Sequence, residues 1–176
     1  MLEEAGSQVE RVDFYNYGEP FLYKHLAAGL RHARSVMPAT TLAISTDGLQ
    51  VRESVEDCIV GERLLDWLIF SIDGCDAESY ARYRIRGDFD KAMHNLKRFR
   101  ARAAGAGINV VWQYVVFRWN DRDDQLKQAI AIAAGIGVPI WFDFARSTWG
   151  RSERKPEGLG YLVPFLRPET GLPTWT

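Results

Sequence analysis

Cysteine is scarce in this chain: Cys58 and Cys75 are the only two among 176 residues, and histidine is held to three. With no C-x-x-C pair and no Cys/His cluster, the sequence offers neither a zinc-finger site nor a disulfide framework, and its own cysteines do not suffice to hold a metal. Cys58 reads as a small packing residue, and Cys75 as a thiol just beyond a turn. An excess of either charge is also missing. The 22 Lys and Arg residues against 23 Asp and Glu leave a net charge of −1, which excludes bulk attraction to nucleic acid, membranes or acidic polymers. Long apolar runs are absent too. The longest, Ala129 to Phe142, is broken by Gly135, Gly137 and Pro139, and falls short of the ~20 residues that cross a bilayer. The first residues, Met1-Leu2-Glu3-Glu4, are acidic and lack the basic start and apolar core of a signal peptide. A cytoplasmic protein is expected, with a small-molecule or peptide partner rather than nucleic acid or membrane.

What is present is a regular alternation of β and α patterns. Strands are predicted near Val12–Asn16, Thr41–Thr46, Asp66–Ile72, Asn109–Phe117 and Ile140–Phe144, several of them apolar on both faces as covered parallel strands must be. A helix opening at Pro20 carries Leu22, Leu26, Leu30, Ala33 and Met37 at helical spacing and stops at Pro38. Shorter helices are predicted over Arg52 to Ile59 and Ala77 to Tyr83. Asp88 caps a longer one with a core stripe of Phe89, Met93, Leu96, Phe99 and Ala103. The other face of that helix, with Lys91, Lys97, Arg98, Arg100 and Arg102, reads as solvated. A last helix starts at Asn120 or Asp121 with acids in its first turn and ends at Gly135 or Gly137. Repeated βα units call for a parallel sheet. The pattern holds over residues 1–146. Residues 147–176 hold four prolines and read as a linker or irregular tail.

Two strand ends carry chemistry. In Gly18-Glu19-Pro20, Gly18 lets backbone approach a ligand and Glu19 offers a carboxylate, which together suit an ammonium group; the same residues also make an ordinary strand-to-helix turn. In Ser71-Ile72-Asp73-Gly74, the alternation of side chains puts Ser71 and Asp73 on one face, where they suit ribose hydroxyls or the head of an amino acid. Arg84 can bind a carboxylate through parallel hydrogen bonds. Thr46-Asp47-Gly48 ends another strand in the same way. Carboxyl ends of parallel strands are where ligands bind in such folds.

Taken together, Asn16-Tyr17-Gly18-Glu19-Pro20, Ser45-Thr46-Asp47-Gly48, Ser71-Ile72-Asp73-Gly74, the run Tyr80 through Arg84 to Gly87-Asp88-Phe89, Gln113 to Phe117 followed by Asn120, and Gly137-Val138 resemble the barrel of a radical S-adenosylmethionine (SAM) enzyme of the SPASM-associated type, from about Val12 to Arg146. The resemblance implies an α/β fold, a partial parallel barrel of the (β/α)6 type missing its first βα unit. It implies SAM held across the carboxyl ends of the strands. Gly18 and Glu19 would then receive the methionyl ammonium. Ser71 would contact the ribose or carboxylate, beside Asp73, and Arg84 the carboxylate. Gly137 and Val138 would lie near the adenine, and Thr46, Gln113 and Asn120 would line the cavity. It also implies a [4Fe-4S] cluster whose reductive cleavage of SAM yields a 5′-deoxyadenosyl radical for hydrogen abstraction. The C-x-x-x-C-x-x-C loop that binds this cluster in the family is absent, and Tyr17 stands where the family often has a second glycine. The expectation is thus a SAM-binding barrel fragment, inactive alone. A non-catalytic SAM or nucleoside module, and an unrelated α/β-barrel enzyme using Glu19 and Asp73 in acid–base roles, are the alternatives. An uncovered strand edge predicts poor solubility for such a fragment.

Overall fold

The computed structural model describes residues 9–15, 18–145, 148–155 and 158–166. Five strands form one sheet: β1 (Arg11–Asp13), β2 (Thr41–Thr46), β3 (Trp67–Ser71), β4 (Asn109–Val116) and β5 (Ile140–Phe144). They lie side by side in sequence order, every neighbouring pair parallel. Between them run α1 (Leu26–Val36), α2 (Glu53–Gly61), the short α3 (Ala77–Ala81), α4 (Phe89–Ala103) and α5 (Asp123–Ile136). Right-handed crossovers between sequential strands put all the helices on one side of the sheet, which is the layout of an opened barrel.

Alternation along the strands sorts the two faces. Leu42, Ile44, Leu68, Phe70, Val110, Trp112, Tyr114, Ile140 and Phe142 join the helices in one apolar core. Their neighbours in each strand form the inner face: Ala43, Ile69 and Val111 are buried there, while Ser45, Ser71, Gln113, Trp141 and Asp143 are half-buried. Trp67 and Trp141 sit two strands apart, yet their ring centroids come within 5.4 Å over β4. Flat strands at that separation are about 9.5 Å apart, so the indoles lean together and close the lower part of the inner face.

The elements start and stop for local reasons. Asp88 accepts from Lys91 N at 2.9 Å and caps α4, and Asp76 caps α3 through a reciprocal pair with Ser79. Gly137, at φ +72°, ends α5 in the left-handed conformation. The predicted first helix is broken: Pro20–Leu22 is a 3-10 turn, α1 begins only at Leu26, and Leu22 is 67% exposed rather than part of the stripe. The basic face of α4 is largely committed. Arg98 and Arg102 reach the fully buried Glu56 of α2, at 2.7 and 3.4 Å, and brace the two helices together. The tail is not loose where it is described. Leu159 and Leu162 enter the core, Leu166 bridges to Phe142 of β5, and Arg154 and Tyr161 bind Asp123 at the start of α5. No helix among the described residues is long and apolar enough to cross a membrane.

Candidate functional site

Because every strand is parallel, the turns that follow β1, β2, β3 and β4 gather at one edge of the sheet. Gly18, Glu19, Thr46, Ser71, Asp73, Arg84, Gln113 and Asn120 all lie along this carboxyl lip. Asn16 and Tyr17, part of the first motif, fall outside the described residues.

Glu19 is committed to the protein itself. One carboxylate oxygen accepts from Phe21 N at 3.0 Å and Thr46 Oγ1 at 2.8 Å, and the other from Asp47 N at 2.8 Å. It caps the 3-10 turn and ties the end of β1 to the end of β2. Burial holds its pKa above the usual carboxylate range despite these donors. Gly18 precedes it at φ +88° with open space where a Cβ would stand, which leaves its backbone open to approach even though the Glu19 carboxylate is taken. Thr46 pairs in register with Phe70 on the helix side, is buried, and bonds Glu19 and Gly48 N. It positions Glu19 and does not line a cavity as expected. Ser45, its neighbour, is the residue of β2 that faces inward.

The second group is denser. Asp73 is fully buried and accepts on Oδ2 from Arg84 Nε at 3.2 Å and Nη2 at 2.9 Å, and on Oδ1 from Val115 N at 2.9 Å. Burial raises its pKa, the Arg84 charge opposing this. Arg84 Nη2 also donates to Ser71 Oγ at 3.0 Å. Two open valences remain: the hydroxyl proton of Ser71, and Nη1 of Arg84, which has no acceptor among the described residues. Ser71 pairs in register with Gln113, whose Nε2 donates to Asp143 Oδ2 at 2.6 Å, leaving its carbonyl oxygen directed to other donors. Ser71, Gln113 and Asp143 thus form a polar inner lip beside Trp141, with the Asp73–Arg84 pair behind it.

Asn120 is fully buried. Its Oδ1 accepts from Phe117 N at 2.6 Å, and its Nδ2 donates to the carbonyls of Asp73 and Val115, each at 3.0 Å. Every polar atom is used inside the protein, so Asn120 shapes the lip and does not line it, contrary to expectation. Gly137 and Val138 are a larger correction. They stand between α5 and β5, hence at the amino edge. Trp141 is level with Gln113 and Ser71, which puts Gly137 four residues lower, or about 13 Å along the strand. Gly137 instead accepts from Arg100 Nε beside an outer groove of about 530 Å³ between the ends of α4 and α5, and Val138 is core. Both stand at the edge opposite the lip.

Asp143 was not singled out in the sequence, although a lone carboxylate in the apolar run Ile140-Trp141-Phe142-Asp143-Phe144 was a visible signal. Cys75 is buried, and burial pushes its thiol up to about 11. Cys58 lies on α2, with Arg31 Nη2 donating to its sulfur. No group of three or more Cys, His, Asp or Glu among the described residues forms a metal site, so these residues do not fit an iron–sulfur cluster.

No family model matches the chain, and no curated protein matches it by sequence. Solved structures do share its fold. A radical SAM methyltransferase from Sphaerobacter thermophilus matches with a TM-score of 0.66 at 16% identity, over 93% of this chain and 50% of that one. Methylornithine synthase (PylB) matches with a TM-score of 0.62 at 15% identity, over 89% and 44%. The enzyme anSMEcpe, solved with bound AdoMet, gives 0.58 at 11%, over 85% and 43%. The chain therefore spans half or less of these proteins. At such identities the likeness is one of fold: five parallel strands of a barrel of the radical SAM type.

Proposed function

We propose that this chain is the part of a radical SAM enzyme barrel that holds the amino-acid end and ribose of S-adenosylmethionine. The inner lip of Ser71, Arg84 and Gln113 is the observation that carries the reading, and the shared fold supports it. Ser71 Oγ–H and Arg84 Nη1–H are the donors for the methionyl carboxylate, and Asp73 keeps the guanidinium in place. The carbonyl of Gln113 and the carboxylate of Asp143 are acceptors for ribose hydroxyls. Backbone carbonyls of the Gly18–Glu19 turn receive the ammonium, with the Glu19 charge nearby favouring a cation. When bound to a reducing cluster, SAM supplies a 5′-deoxyadenosyl radical; the described residues hold no such cluster, and no chemical step is assigned to them. Acid–base roles for Glu19 and Asp73 fit less well, because both carboxylates are filled by hydrogen bonds and Asp73 is sealed from solvent. A SPASM-type architecture and the substrate belong to this proposal only as the family resemblance implies them.

Calorimetric titration with SAM tests the assignment. Ser71→Ala removes one hydrogen bond to a charged group, and the expected loss of affinity is about 10- to 100-fold. Unchanged titration of Ser71→Ala, with a melting temperature equal to that of the wild type, overturns the role given to the lip.

A further inference from the structure

Among the described residues the two edges of the sheet are not alike. At β5, Leu166 makes a parallel bridge to Phe142, and the same segment packs Leu159 and Leu162 into the core. At β1, no strand lies outside Arg11–Asp13. An open edge offers its main-chain groups to another strand, and proteins cover, break or charge such edges.

The ladder to β2 decides which groups are on offer. Thr41 N donates to Glu10 O at 2.9 Å and Phe14 N to Ala43 O at 2.8 Å, so Glu10, Val12 and Phe14 turn their main chain toward β2. Arg11 and Asp13 turn theirs outward. The open stretch stops before them, since Val9 O accepts from Thr40 Oγ1 at 2.7 Å. Arg11 and Asp13 also share the inner face, where Arg11 Nη2 stands 2.9 Å from Asp13 Oδ1. Val12, between them, packs toward the helices.

This edge is complementary to itself. A second β1, turned about a two-fold axis through Val12, runs antiparallel and sets Asp13 of one copy opposite Arg11 of the other, at both ends. Opposed residues in an antiparallel pair are alternately hydrogen-bonded and not. The outward main chains of Arg11 and Asp13 place the hydrogen bonds at the two charged pairs. Val12 meets its own copy at the non-bonded position, where side chains come closest. Centring the pair on Arg11 or on Asp13 instead sets like charges opposite each other. About Val12, the arginines and aspartates of both copies alternate in sign around one cluster, and the pair within each chain is kept.

We propose that β1 is the contact of a two-fold dimer, in which a second copy of this chain pairs antiparallel about Val12 and the two sheets become continuous. Both copies use the same edge, so the contact closes at two and leaves β1 covered. With a strand of three residues on each side, the dimer is a weak one, forming at micromolar concentrations. The proposal does not depend on SAM binding.

Sedimentation velocity on the whole chain at low salt tests it, over about 5 to about 200 µM protein. The wild type is expected to pass from monomer to dimer across this range. Arg11→Asp and Asp13→Arg each create two like-charged pairs, because symmetry counts every substitution twice, and each should weaken the dimer at least about tenfold. Mixed in equal amounts, these two variants face each other with opposite charges and should recover the wild-type affinity. The double variant Arg11→Asp/Asp13→Arg keeps the pair within the chain, and decides the matter if circular dichroism shows that a single variant has lost its fold. It should dimerise with itself as the wild type does but not with the wild type, which a fluorophore on one of the two chains reads out. A wild type that stays monomeric or forms species larger than two overturns the proposal. So do folded single variants that dimerise unchanged or fail to recover on mixing, and a double variant that stays monomeric or pairs with the wild type as tightly as with itself.

Discussion

Removing Arg84 should cost far more than a surface salt bridge does, and should cost most at neutral pH. Its partner Asp73 is fully buried, and Arg84 supplies both donors to Asp73 Oδ2. Breaking a buried pair by deleting one member leaves an uncompensated charge, at a cost of about 3–5 kcal/mol. For a chain of this size that corresponds to a fall of roughly 6–20 °C in melting temperature. The pH dependence follows from the direction of the Asp73 shift. Burial already raises its pKa in the folded protein, so the native state binds the proton more tightly than the unfolded chain, and stability falls as pH rises through that window. Without Arg84 the shift grows, and protonating Asp73 relieves the lost ion pair. The gap between Arg84→Ala and wild type, measured by urea denaturation, is therefore widest near pH 7 and narrows as the pH falls and Asp73 takes up its proton, closing at up to about 1.4 kcal/mol per pH unit. Asp73→Asn combined with Arg84→Ala keeps an acceptor for Val115 N and removes the charge, and should recover about half the loss. A loss under about 1 kcal/mol that does not vary with pH, or no recovery in the double variant, refutes the reasoning, because it would mean the Asp73 carboxylate is not an isolated buried charge.

Asn120→Ala orphans Phe117 N and removes the donor to two carbonyls, so chemical denaturation should show a loss of about 3 kcal/mol or more. Gly137→Ala strains a left-handed helix end in open space; thermal melting should register about 1 kcal/mol of destabilisation, while SAM titration stays at the wild-type value because the residue is at the opposite edge.

The sheet was legible because its signal is local. Thr41–Thr46 and Ile140–Phe144 begin and end where their β-branched and aromatic runs do, and Asp88 announces α4 by capping it. The lip was legible to the same extent: a parallel repeat forces the residues after each strand to one edge, which is why Glu19, Ser71 and Asn120 share it. Side-chain direction was harder. Thr46 and Ser45 are adjacent hydroxyls, and only the register with Phe70 tells which one turns inward. Arg84 reads as a clamp with all its donors free until its partner is known, and that partner, 11 residues back across a turn, takes Nε and Nη2. The misplacement of Gly137 and Val138 was avoidable, because any residue between a helix and the next parallel strand belongs to the amino edge. The 3-10 break after Leu22 was less so. The apolar spacing runs straight through it, while the backbone turns extended at Tyr23 and the α-helix starts only at Leu26.

The buried amide of Asn120 welds the turn after β3 to the mouth of β4, so that side of the lip is rigid before anything docks on it. Ordering entropy is lost when the chain folds, not when a ligand arrives. On the proposed reading, affinity at this wall is tied to the integrity of the fold. A substitution that loosens the weld weakens recognition without touching a single contact atom, and a damaged binding curve here is as much a report on folding as on the pocket.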